Sequence, residues 1–243
     1  MTLRHGMHVA ASLAAAAFIG GTAAVGASAS TTPSPSPSPT PAPITLSQLK
    51  QLCNAEVQRR LGTLGSDMQF VQQSGSLTSS DRSNLEGQIG ADESGLTGLD
   101  QTIQNDTTLK QAREDCAKIV TNFRVYVLED PKIHEVIAAD GVSAVDQSFE
   151  NLIPQLEQLI DASSQSQMVK EQEIDKLNDL RSKVSASETS ISGVSASVIN
   201  LQPSGYPGNK VVLQSAAQNI ETSRDDLKGA RDDVTDILQL LGS

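Results

Sequence analysis

The stretch LQSAAQNIETSRDDLKGARDDVTDILQLL, residues 213–241, decides the fold class. Leu213, Ile220, Leu227, Val234 and Leu241 recur every seven residues, with Ala216, Ala230 and Ile237 three residues after Leu213, Leu227 and Val234. Recurrence at seven with a second apolar position three further on marks an α-helix seated along a partner helix. A half-buried strand would alternate every two residues instead. Arg224-Asp225-Asp226 returns as Arg231-Asp232-Asp233. Mixed signs at that spacing form a solvated helix face with internal ion pairs rather than a cation site.

The partner helix lies just upstream. Leu177, Leu180, Val184, Ser187, Ile191, Val194, Val198 and Leu201 follow one another at steps of three and four. Between the two stripes, residues 202–208 hold Pro203, Gly205, Pro207 and Gly208, which punctuate a turn. Two matched stripes joined by a short turn predict an antiparallel helical hairpin. Asp161 to Lys170, polar apart from Ala162, Met168 and Val169, reads as a loop. Before it, Val142, Val145, Phe149, Leu152, Leu156 and Leu159 predict a helix kinked at Pro154.

The front half repeats the pattern more weakly. Leu46, Leu49, Cys53, Val57, Leu61, Leu64, Met68 and Val71 form one stripe, and 74–78 breaks it. Thr78 and Asp81 resemble an N-cap with an acidic third residue. Leu85, Ile89, Leu96, Leu99 and Ile103 form the next stripe, in a helix that also carries Gly87, Gly90, Gly95 and Gly98. Those glycines mark a helix of poor propensity, with close helix approach as the other reading. A third helix begins near Thr108, carries Cys116 and is expected to run to about Leu128, where Pro131 breaks it; an extended piece over 123–130 is the alternative. The whole reads as an all-α fold: an elongated antiparallel helical bundle of coiled-coil hairpins, about five to six helices over 44–243. With hydrophobic residues at 37% including Ala, the stripes are narrow and the core thin, and self-association stays open.

The N-terminal region carries an address. Met1–His8 is polar with Arg4, Val9–Val25 is apolar and Ala-rich, and Ala27-Ser28-Ala29 is a small-x-small cleavage site. Residues 1–29 therefore read as a secretory signal peptide. The competing reading, a retained anchor, meets Gly20, Gly21, Thr22 and Gly26 within a run shorter than the roughly 20 apolar residues of a span. No membrane span is expected after cleavage. Residues 30–43, with proline at every second position from Pro33 to Pro43, read as a Ser/Pro-rich linker without a core. Export to an oxidising compartment makes a Cys53–Cys116 disulfide the expected state of the two cysteines.

Charge and motifs narrow the function classes. The chain has 18 Lys and Arg against 29 acids; losing Arg4 leaves 17 against 29, net −12. That balance argues against nucleic acid and anionic membrane as partners. No specific catalytic constellation appears, so the chain reads as non-enzymatic. The part after residue 29 has a single histidine, His134, and no Gly-x-Ser-x-Gly elbow. With the cysteines paired, no metal-ligand set stands at the spacing zinc needs, and no cofactor is implied. Asn105-Asp106-Thr107 matches a glycosylation sequon, to which this context gives no weight. The unusual place is Phe123, Arg124, Tyr126, Lys132 and His134, where scarce aromatic rings cluster around Pro131. Packing at a helix junction is one reading, and a candidate contact surface for a partner is the other.

The run Cys116-x-x-Ile119-Val120-Thr121-x-Phe123-Arg124-Val125-Tyr126-Val127-Leu128-x-x-Pro131-Lys132-x-His134, then Ala138-Ala139-Asp140, resembles a motif of uncharacterised secreted helical proteins of actinobacteria. Cys53 and the Tyr206-Pro207 turn match the same family, over roughly residues 45–240. The glycines of 87–98 and Pro154 depart from its pattern. The resemblance implies export and a coiled helical body; it implies no activity. The reading that follows is a secreted, non-enzymatic structural or interaction protein of the cell envelope or extracellular space, with an unknown envelope or extracellular protein as partner. The alternatives are an extracellular protein binding a small ligand or peptide near Tyr126, and a hydrolase using His134.

Overall fold

A computed structural model describes residues 43–242. The expected signal peptide at 1–29 and the expected linker at 30–43, except its last residue, lie outside the described residues. The unit from Pro43 onward is an all-α helical bundle, and its described residues contain no strand. Seven α-helices follow one another: α1 (Leu46–Gln73), α2 (Ser79–Asn105), α3 (Leu109–Thr121), α4 (Asp130–Ala162), α5 (Gln167–Ile191), α6 (Val194–Ile199) and α7 (Asn209–Leu241). None is long and apolar enough to cross a membrane. At about 1.5 Å per residue, α4 and α7 with 33 residues each are about 50 Å long.

Local chemistry sets the helix starts. Thr45, Thr78 and Thr108 each accept, on the side-chain oxygen, the backbone N–H three residues on, which satisfies one of the donors a helix leaves unpaired at its start. At Thr45 the bond is reciprocal, since Gln48 accepts the Thr45 N–H at 2.9 Å.

Two antiparallel helix pairs form, the second being the predicted C-terminal hairpin. α1 and α2 run antiparallel: Asn54 donates to Asp100, Lys50 to the Gln104 carbonyl, and Arg82 to the Val71 carbonyl. α5 and α7 make the most extensive helix pair. Partner numbers on α7 rise as those on α5 fall, from Ser223 against the Ser187 carbonyl, through Asp233 paired with Lys183, to Asp236 paired with Lys176. The seam at 213–241 is buried much as its spacing predicts, at Ala216, Ile220, Leu227, Ala230 and Ile237.

Two buried clusters lie in series. One joins α1, α2, α3, the first half of α4, α6 and the early part of α7; the other is Leu156, Ile160, Leu177, Leu180, Val184, Ala230 and Ile237, between α4, α5 and α7. Cys53 and Cys116 are bonded, with Cα atoms 5.8 Å apart, and tie α1 to α3.

Four expectations are corrected. The stripe 177–201 is two helices: at Gly193 the backbone turns left-handed (φ 72°), a conformation glycine adopts without strain. The polar stretch 161–170 is helical at both ends, and its loop is only 163–166. Val145 and Leu159 are exposed rather than part of the α4 seam. The break expected at Pro131 lies earlier, at Asn122–Arg124, where Arg124 takes φ 46°. Val125–Glu129 then forms a π-helical turn, and Asp130 N–H donates to the Val125 carbonyl five residues back. The wide turn leads directly into α4, so Pro131 sits in a first turn that needs no N–H from it.

Candidate metal centre at the end of an apolar groove

The π turn determines where the next residues point. It inserts an extra residue into the helical path immediately before Asp130, the kind of bulge that often accompanies a functional site. Asp130 and His134 follow at i and i+4, which places both side chains on one face of α4. The His134 Nε2 lies 3.5 Å from the Asp130 Oδ1. From α1 the carboxyl of Asp67 reaches the same place, and one ligand atom from each of the three residues lies within 4.8 Å of the others.

Asp67 is 4% exposed, and its Oδ2 is buried without a hydrogen-bond partner. Burial, and then the facing Asp130 carboxylate, push its pKa up to about 6, with His134 pulling it back. By contrast Asp140, also buried on α4, accepts the Thr78 N–H at 3.0 Å and the Ser195 hydroxyl at 2.6 Å. The Phe70 ring packs on the His134 ring at 4.9 Å between centroids. Among the described residues no hydroxyl is hydrogen-bonded to His134, the arrangement a serine hydrolase would use.

His134 and Phe70 also stand at one end of a groove of about 990 Å³ between α4 and α7. Its floor is apolar, with Val142, Val145, Phe149 and Leu227, and its α7 side carries Arg224, Lys228 and Arg231 together with one acid, Glu221. Arg224 lies near Glu135 across the groove and holds down a carboxyl that burial raises. Lys228 and Arg231 form no salt bridge among the described residues.

The five residues singled out in the sequence separate into different environments. The Phe123 ring lies against α2, with its Cε1 2.7 Å from where a Cβ on Gly95 would sit. Close approach is therefore the role of Gly95, whereas nothing lies within 4 Å at Gly87, Gly90 or Gly98. Arg124 donates to the Pro203 carbonyl at 3.0 Å and stacks over the Tyr206 ring at 4.3 Å. Tyr126 is 44% exposed beneath the Arg60 guanidinium. It does not line the α4–α7 groove.

Lys132 is a correction. It is 1% exposed and offers no contact surface. Its Nζ donates to Glu129 at 2.5 Å, to Gln88 at 2.6 Å and to the Leu201 carbonyl at 3.4 Å, joining α4 to α2 and to the end of α6. Burial raises the pKa of Glu129, and Lys132 offsets part of that rise. Asp92, burdened by its own burial and by the Glu129 charge, is pushed up to about 6.

The sequence reading assigned no metal-ligating set, and the fold supplies a candidate one. Asp130-x-x-x-His134 is visible as a helical i, i+4 pair. Asp67 carries one signal of its own: it stands three residues after Leu64 and four before Val71, on the buried face of α1. Comparison with family models, with curated proteins and with solved structures gave no match for this chain.

Proposed function

We propose that this chain is an exported, non-enzymatic helical interaction protein of the envelope or extracellular space, with the α4–α7 groove as its binding face. The observation that carries the reading is an apolar floor beside an α7 side on which Lys228 and Arg231 form no salt bridge among the described residues, on a chain of net charge −11. Such a face selects an apolar segment bearing carboxylates, such as an acidic amphipathic helix of an envelope protein laid along the groove. Export is supported by the pattern of residues 1–29, by the actinobacterial resemblance, and by a disulfide, a bond that persists in oxidising compartments.

A second reading, a small-ligand carrier, is favoured by the groove volume, which falls in the size range of small-molecule sites. The test has two arms. The C-terminally tagged full chain is expressed in a bacterial host and fractionated; a product lacking residues 1–29 outside the cytoplasm is expected, and an unprocessed cytoplasmic chain overturns export. The groove is titrated with 1-anilinonaphthalene-8-sulfonate, an apolar anion. Binding is expected, with loss on Val145→Asp and on the double change Lys228→Glu, Arg231→Glu; no binding, or equal binding by these variants, refutes the groove. Displacement by an acidic amphipathic peptide supports the interaction protein, and displacement by a fatty acid alone supports the carrier.

A further inference from the structure

The geometry points to a binding site for one borderline divalent metal ion of the zinc class, held by Asp67, Asp130 and His134. The sequence does not assemble this set, because Asp67 stands on α1 while the other two open α4. The Asp130 Oδ1 to His134 Nε2 separation of 3.5 Å is close to the edge of a tetrahedron whose ligands sit about 2.1 Å from zinc, roughly 3.4 Å. The widest separation in the set, within 4.8 Å, closes to that edge by small rotations of Asp130 and His134, whose side chains are 36% and 52% exposed.

Asp67 supplies the independent observation. A buried carboxylate ordinarily accepts hydrogen bonds, as Asp140 does from Thr78 and Ser195. The Oδ2 of Asp67 accepts none, although the residue is 4% exposed, and the side chain faces a second carboxylate, Asp130, and an imidazole, His134. Two carboxylates facing each other repel; a cation between them removes the repulsion and fills the unused oxygen's coordination. The donor set names the cation class. One imidazole nitrogen with two carboxylate oxygens suits zinc and its neighbours, whereas calcium takes six to eight oxygens and magnesium near-ideal octahedral oxygen coordination. Three protein ligands leave a further position for water or for an outside donor. Since His134 also lines the groove, a cation held here stands at the groove's end and extends its positive edge.

The site stands without the groove reading, and its test is separate. The full chain, stripped of metal, is titrated with zinc against a chromophoric chelator. One equivalent is expected to bind at this site and to raise the melting temperature. Asp67→Asn and His134→Ala are each expected to lower the affinity at least tenfold and to abolish the melting shift, while changing His5 and His8 leaves both unchanged. Calcium in hundredfold excess is expected not to displace zinc. Circular dichroism checks that the variants fold; His134 is half exposed, so His134→Ala decides the matter if Asp67→Asn does not fold. Absence of zinc binding, unchanged binding in His134→Ala, or displacement by calcium overturns the proposal; in the first case the two carboxylates share a proton only.

Discussion

Replacing Lys132 by methionine tests a buried charge pair that joins three parts of the fold. The Lys132 and Glu129 side chains are 2% and 5% exposed and lie 2.5 Å apart. Removing the ammonium leaves the Glu129 carboxylate desolvated and without a counter-charge. Breaking a buried pair from one side costs about 3–5 kcal/mol. The lower end applies here, because burial already favours the protonated form of Glu129, and that form relieves the unpaired charge. The single variant is therefore expected to lose about 3 kcal/mol, or roughly 10 °C of melting temperature for a domain of this size. The double variant Lys132→Met, Glu129→Leu removes both charges and is expected to return to within about 1–2 kcal/mol of the parent. What it does not recover is the hydrogen bonding of Gln88 and of the Leu201 carbonyl. Urea unfolding followed by circular dichroism measures both, with an unchanged denaturant slope as the check that only stability has moved. A loss below 1 kcal/mol in the single variant, or a double variant no more stable than the single, refutes the reasoning.

Other perturbations test other parts of the fold. Replacing both Cys53 and Cys116 by serine opens a ring with a sequence separation of 63 and is expected to lower stability by about 4 kcal/mol on the chain-entropy account, measured in the same urea titration. Gly95→Ala presses a methyl group into the Phe123 ring and is expected to cost about 1–2 kcal/mol, whereas Gly98→Ala, on an open helix surface, is expected to gain about 0.5–1 kcal/mol; equal effects at the two positions would count against the Phe123 contact. Asp92 beside Glu129 and Lys132, Glu129 itself, and Asp146 near Glu150 and Asp226 all hold protons more tightly folded than unfolded. Stability is therefore expected to rise as pH falls from 7.5 through 6 toward 5, and Asp92→Asn to raise the melting temperature at pH 7.5 and narrow that rise; a melting temperature that drops on mild acidification contradicts the assignment.

The legible part of the fold is the part that repeats. The seam at 213–241 and the stripe at 85–103 show themselves because apolar spacing reports which face a helix buries. The break at Gly193 does not, since Ile191, Val194 and Val198 keep the same steps of three and four across it. The π turn at 125–129 is equally hidden: one residue added to a helical turn changes no composition and little spacing. Buried charges are the larger loss. Arg60 and Asp67 are buried on the inward face of α1 beside the partly buried Leu61 and Met68, and Lys132 is more deeply buried than any aromatic ring among the described residues. Arg60 and Lys132 have ion-pair partners within one helical turn, Glu56 and Glu129, but the contacts that hold them inward, with Tyr126 and with Gln88 and the Leu201 carbonyl, come from far away in sequence, as Asp130 and His134 do for Asp67. The candidate metal set follows the same rule: two of its members are a local pattern, and the third arrives by tertiary packing.

The Cys53–Cys116 bond also changes the connectivity of the molecule. It closes a covalent ring that contains most of α1, the bend at 74–78, all of α2 and the start of α3. A protease that cuts one peptide bond at the bend at 74–78 converts that ring to an open chain but releases nothing. The two pieces stay joined through the sulfurs, and α1 and α2 keep their antiparallel contact. A nicked molecule therefore travels as a single species until a reductant is added.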